Sequence, residues 1–168
     1  MNFASYSLKS LLIIFSLIFI IYIINIPTIS STEIIGKPSV IDGDTIKILN
    51  KKIRLHGIDS PEIKQSCLYK NNEKWQCGMD AKKALNNFII DKNLRCISKR
   101  KDRYKRLIGT CYLRDIDIQE WMVKNGWAIA YRKYSKKYIE AEVYAKNNNL
   151  GIWQGNFIEP QKWRQQNN

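Results

Sequence analysis

One histidine, His56, stands in a chain of 168 residues. Acid–base chemistry that needs two histidines is therefore excluded, as is a metal held by a histidine cluster. The four cysteines, at positions 67, 77, 96 and 111, contain no C-x-x-C pair, so nothing points to a zinc knuckle or ribbon. Acidic residues are scarce: 15 Asp and Glu face 28 Lys and Arg, for a net charge of +13. With 45% apolar residues the chain is not a disordered polycation, and its length suits one domain plus an appendage. The expected partner of so basic a folded domain is a polyanion, nucleic acid ahead of an anionic membrane surface.

No charged residue lies between Lys9 and Glu33, and residues 11–26 are almost all Leu, Ile and Phe. Residues 1–32 read either as a signal peptide or as an uncleaved membrane anchor. The run is long for a signal peptide and no A-x-A follows it, while Thr28 and Ser30 offer small residues before a cut. On both readings Lys9 keeps the short end inside and the remainder is exported: periplasmic, extracellular or anchored on the outer face of the membrane. Residues 33–158 then form the globular domain and residues 159–168 a polar C-terminal tail.

Export implies paired cysteines. Three connectivities are possible; the favoured one joins Cys67 to Cys77 across a loop and Cys96 to Cys111 across two neighbouring apolar runs. Strands are expected at 34–41, 44–49, 51–58, 94–98 and 107–113. Helical spacing of apolar residues occurs at 78–90, and two more helices fit 118–124 and 137–147. Five short strands with interspersed helices make an α+β chain and suggest a small barrel of the oligonucleotide-binding (OB-fold) type. Trp121, Trp127 and Trp153 have apolar neighbours and read as core.

Three segments carry residues suited to chemistry. Asp42-Gly43-Asp44-Thr45 is, taken alone, a hairpin turn. In Ile53-Arg54-Leu55-His56-Gly57-Ile58-Asp59-Ser60-Pro61-Glu62, a strand arginine precedes two carboxylates spaced across a proline turn. Asp102-Arg103-Tyr104-Lys105-Arg106 alone is a basic loop.

Together, D-G-D-T, R-L-x-G-I-D-x-P-E and D-x-Y-x-R resemble the staphylococcal nuclease (thermonuclease) family. The likeness runs in order from Ile34 to Trp153 and includes N-G-W-A at 125–128 and L-G-I-W at 150–153. It implies a calcium-dependent nuclease on a five-stranded OB-fold barrel with three helices. By position it implies Asp44 and Asp59 as calcium-binding carboxylates, Ser60 as donor of a main-chain carbonyl, and Asp42 as an acidic residue beside the metal. Arg54 and Arg106 match the two phosphate-binding arginines and Glu62 the proposed general base. Arg103 and Tyr104 match a nucleotide-contacting pair, and Tyr131 and Tyr134 match two tyrosines of the nucleotide pocket. Lys105 departs from the pattern, since glycine is usual there, and the loop from Glu62 to Gly78 is longer.

These residue types suit the reaction. A phosphodiester repels hydroxide, and its five-coordinate transition state carries still more negative charge. Carboxylate and carbonyl oxygens hold a hard cation that offsets it. Arginine forks match phosphate oxygens in shape and keep their charge. The basic 99–106 loop and the 132–137 stretch are expected to track phosphates of DNA and RNA, and Tyr104, Tyr131 and Tyr134 to stack bases of single-stranded or frayed regions. A monomer suffices. The rival reading is a non-catalytic nucleic-acid-binding barrel at the cell envelope, which would not need Asp44, Asp59 and Glu62 together.

Overall fold

The computed structural model describes residues 12, 13, 15, 16 and 31–167. The expected signal or anchor segment at 1–32 therefore lies almost wholly outside the described residues. No helix among them is long and apolar enough to cross a membrane. Residues 1–30 form a unit separate from 31–168, and the second unit is the one built around the site.

That unit rests on one curled sheet. Strands β1 (Thr32–Gly36), β2 (Ser39–Asp42), β3 (Thr45–Ile48), β4 (Lys51–Leu55), β8 (Leu94–Lys101) and β9 (Leu107–Leu113) lie in the order β1-β8-β9-β4-β3-β2, with β10 (Ile116–Asp117) paired to β9. β1 also approaches β3, where Gly36 meets Ile48, and the sheet curls into a half-barrel. Residues alternate along the strands, and the inward set includes Ile46, Ile48, Ile53, Leu55, Leu94 and Cys96. Each such buried aliphatic side chain contributes about 1.5–3 kcal/mol.

Helix α1 (Cys77–Ile89) adds Leu85 and Ile89 to this core, and α2 (Ile118–Lys124) adds Ile118, Met122 and Val123. Asp117 caps α2 by accepting from the main-chain N–H groups of Gln119 and Glu120. Helices α3 (Ile139–Asn147) and α4 (Pro160–Asn167) follow.

Three differences from the sequence reading bear on the site. The strand expected at 34–41 is two strands, because Pro38, which has no N–H to give a ladder, sits between them. The sheet counts seven strands where five were expected, because the two halves of the 34–41 segment, β1 and β2, lie at opposite ends of its order and β10 adds to β9, and it curls into a half-barrel. The 62–77 segment is not an open loop. It carries the hairpin β6 (Cys67–Tyr69) and β7 (Lys74–Trp75), fastened by β12 (Gly155–Asn156). Cys67, Trp75, Cys77 and Ile152 form a second small core beneath it.

The structure contains both favoured disulfides, Cys67–Cys77 and Cys96–Cys111. The second joins directly opposed residues of β8 and β9. A further difference is at the C-terminus. The stretch expected as a polar tail forms α4, so the described helices number four rather than three.

Candidate active site

The site grows from the edges of β3 and β4. The β2–β3 turn places Asp44 almost fully buried, where its Oδ2 accepts from Ser60 N–H at 3.0 Å and its Oδ1 from Thr45 Oγ1 at 3.2 Å. Gly43 is required there, since a Cβ would stand 2.0 Å from Ser60 Oγ. Arg54 follows from β4, pairs opposite Thr45, and reaches both acids: its Nη1 pairs with Asp44 Oδ1 and its Nη2 donates to Asp59 Oδ1 at 2.8 Å. Asp59, fully buried, ends β5 (Ile58–Asp59). β5 pairs with β11 (Ile129–Ala130), which brings Tyr131 to the same place.

Asp42 adjoins this group, accepting from Asp44 N–H at 3.0 Å. Burial raises its carboxyl above the ordinary range; a Thr45 hydrogen bond and the charges of Arg54 and Arg106 oppose that rise. Arg106 and Arg54 lie near one another because β4 and β9 run parallel, with Arg54 opposite Ile108. Arg106 itself is held by Asp102, its Nε donating to Oδ2 at 2.7 Å. Arg103 lies over the ring of Tyr104, 4.8 Å from its centroid, and Arg106 lies 5.5 Å from the same ring. Lys51, Lys52, Lys101, Lys105, Arg106 and Tyr104 line a cavity of about 450 Å3 with no carboxylate on its wall. Lys105 has φ 63°, the left-handed conformation for which glycine is the ordinary choice.

Glu62 is fixed through its main chain. Its N–H donates to Gln65 Oε1 at 3.2 Å and its carbonyl accepts from Gln65 N–H at 2.7 Å. Gly78 at the start of α1 admits this backbone, as a Cβ would lie 1.7 Å from the Glu62 carbonyl oxygen. Arg164 of α4 then closes the group. Its Nη1 donates to Asp59 Oδ1 at 3.0 Å and to Glu62 Oε1 at 2.8 Å, and its Nη2 to Asp59 Oδ2 at 3.0 Å.

The expected chemical residues therefore occupy two adjoining places. Asp42, Asp44, Arg54, Asp59, Ser60 and Glu62 make one connected cluster, and Arg103, Tyr104 and Arg106 make an exposed basic edge beside it. Residues 52–155 match the family described as staphylococcal nuclease homologue.

The chain belongs to that family.

It is 38% identical over 127 residues to the succinoglycan biosynthesis protein ExoI of Rhizobium meliloti, covering 74% of this chain and 66% of that protein. An uncharacterized endonuclease of Haemophilus influenzae is also 38% identical, over 133 residues, with 74% and 69% covered. A probable staphylococcal-like nuclease of Oryza sativa is 32% identical over 72% of this chain and 30% of its own length. The chain thus spans about two thirds of the first two relatives and under a third of the third.

Several other expectations meet the geometry differently. Tyr131 and Tyr134 contact edge to face with centroids 4.8 Å apart, and Tyr131 donates to Gln161 of α4 at 2.9 Å. The 132–137 stretch is only partly free for phosphates. Arg132 is paired with buried Glu142, and Lys137 donates to Asp117 at 2.6 Å. Burial lowers the His56 imidazole below its ordinary value, with Arg100 adding to the effect, so the ring is neutral at pH 7.

Among the described residues no three acids, cysteines or histidines converge on one point to form a metal group. The acids here meet through arginines. Their chemistry still fits a hard cation: Asp44 and Asp59 are carboxylates buried on either side of one guanidinium, and Ser60 N–H donates to Asp44 beside them. Two residues of the site were missed in the sequence, Arg164 and Gln65. Their sequence distances from the acids they serve hide the first, and an unremarkable polar context hides the second.

Proposed function

We propose that the protein is an exported, calcium-dependent nuclease that hydrolyses phosphodiester bonds of DNA and RNA and leaves 3′-phosphate ends. One observation carries the reading: Arg54 joins buried Asp44 and Asp59 beside Glu62 in a chain of the staphylococcal nuclease homologue family. Buried carboxylates are costly unless cations face them, and a site for a metal and a phosphodiester is one that supplies such cations. The two disulfides support export, since such bonds persist in oxidising compartments.

Calcium, held by Asp44, Asp59 and the Ser60 carbonyl, would supply positive charge to a phosphate oxygen and acidify a bound water. Arg54 and Arg106 grip the non-bridging oxygens, each contributing about 3–4 kcal/mol as charge develops there. Glu62 takes the proton of the attacking water as its oxygen bonds to phosphorus. The bond from phosphorus to the 5′-oxygen breaks, and the departing oxygen takes up a proton. Arg103 and Tyr104 hold the strand by charge and stacking, which favours single strands and makes binding salt-sensitive.

The test is digestion of single-stranded DNA and RNA by the full-length protein in calcium, magnesium or chelator, with product ends mapped. Calcium-dependent cutting to 3′-phosphate ends is expected. Tight, salt-sensitive binding without cutting in any metal would instead establish a binding module.

A further inference from the structure

Two arginines take up three of the four lone pairs of the Asp59 carboxylate. A carboxylate oxygen offers two lone pairs, and Asp59 Oδ1 already accepts from Arg54 at 2.8 Å and from Arg164 at 3.0 Å. Its Oδ2 accepts from Arg164 at 3.0 Å. A cation that takes the one lone pair left, on Oδ2, must either stand beside the Arg164 Nη2 that already donates there or displace a guanidinium group.

The two guanidinium groups are not equally held. Arg54 belongs to β4 inside the sheet and is also paired to Asp44. Arg164 rides on α4, eight residues near the C-terminus. The described side-chain ties that dock α4 and its approach are few: Gln161 accepts from Tyr131 at 2.9 Å, and the Ile158 carbonyl accepts from Gln65 at 2.6 Å. Arg164 is the group that can leave.

We propose that Arg164 is a built-in counter-cation that holds Asp59 and Glu62 in the metal-free protein and competes with calcium for Asp59. It is a positioning residue. When the cation takes Asp59, Arg164 keeps Glu62 or turns to the phosphate, and α4 loosens. This rests on the calcium reading above, and it ties the two ends of the domain to one switch: the C-terminal helix is docked tightest when the site is empty of metal. Like charge close to a ligand oxygen opposes a divalent ion strongly even at the effective dielectric of a protein surface.

The test is calcium titration by calorimetry on the full-length protein, its disulfides intact, against Arg164→Gln and Arg164→Lys. Arg164→Gln should bind calcium at least tenfold more tightly. Arg164→Lys, which keeps the charge but cannot span Asp59 and Glu62 at once, should fall between it and the parent. A measurement on the parent alone covers the case in which the variants do not fold: amide exchange in α4 should accelerate when calcium saturates the site. Unchanged or weaker calcium affinity in Arg164→Gln would overturn the proposal, as would α4 exchange that stays constant or slows. If the parent binds no calcium but Arg164→Gln does, the competition is upheld. If neither binds it, this proposal and the calcium dependence both fall, whereas binding by all three with equal affinity removes only the role of Arg164.

Discussion

Arg54 and Arg106 share one proposed role, yet they live in opposite surroundings. Arg54 is locked between two buried acids, one of which has no exposed surface at all. Arg106 sits at the exposed edge, tied to Asp102 and stacked near Tyr104, a ring that is 64% exposed. The difference teaches that one guanidinium also holds the fold together, braced by two buried acids, while the other is braced by a single acid of its own loop. Removing the first leaves buried charge uncompensated; removing the second leaves a loop that still has its own hydrogen bonds, since Asp102 Oδ1 accepts from Tyr104 N–H and Arg106 N–H at 2.9 Å.

Variants can break or sharpen that contrast. Arg54→Ala should lose roughly 10²–10³-fold in kcat and also about 3 kcal/mol of stability, read by cleavage rate and urea melting. Arg106→Ala should lose a similar factor in kcat while its urea midpoint stays put; a comparable loss of stability would erase the distinction. Glu142 supplies a control, a buried acid with no part in the chemistry. Burial pushes its carboxyl up, but Arg132, Lys146 and the Ala130 N–H win, and hold it below its ordinary 4.5.

The sign follows from that depression. Glu142 stabilises the fold fully above pH 4.5, and this is lost as pH falls through its lower folded value. Glu142→Gln should therefore cost about 3 kcal/mol at pH 7 and progressively less in acid, with cleavage per folded molecule unchanged. At the basic edge, Tyr104→Ala should weaken binding of single-stranded oligonucleotide by about 1–3 kcal/mol without slowing the bound complex. Smallest of all, Lys105→Gly should gain about 1 kcal/mol by relieving a left-handed backbone, seen as a small rise in melting temperature.

Much of the cluster could be read in the chain because its members lie close in sequence. Asp44, Arg54, Asp59 and Glu62 fall within three short consecutive strands and their turns, so local geometry alone nearly assembles them. The pairing of Cys96 with Cys111 was legible for the same reason: apolar runs joined by a basic turn make neighbouring strands. Arg164 was hidden because it stands 105 residues from Asp59, in a stretch whose only fully buried residue is Pro160. No periodic apolar face announces a helix there; an ion pair docks it instead. Gln65 was hidden by its amide, a surface group by default, which the fold buries to hold Glu62 and the approach to α4. The break between β1 and β2 is legible as Pro38, which has no N–H to give a ladder.

The account's central claim is that Asp44, Asp59, Glu62 and the two arginines Arg54 and Arg106 perform the chemistry while Arg103 and Tyr104 hold the strand. Single-turnover cleavage and oligonucleotide affinity, measured together in calcium for the parent and Glu62→Gln, test it most directly. The cleavage rate should fall by at least about 10²-fold, with affinity within a factor of three. A variant that cuts at the parental rate would contradict the claim.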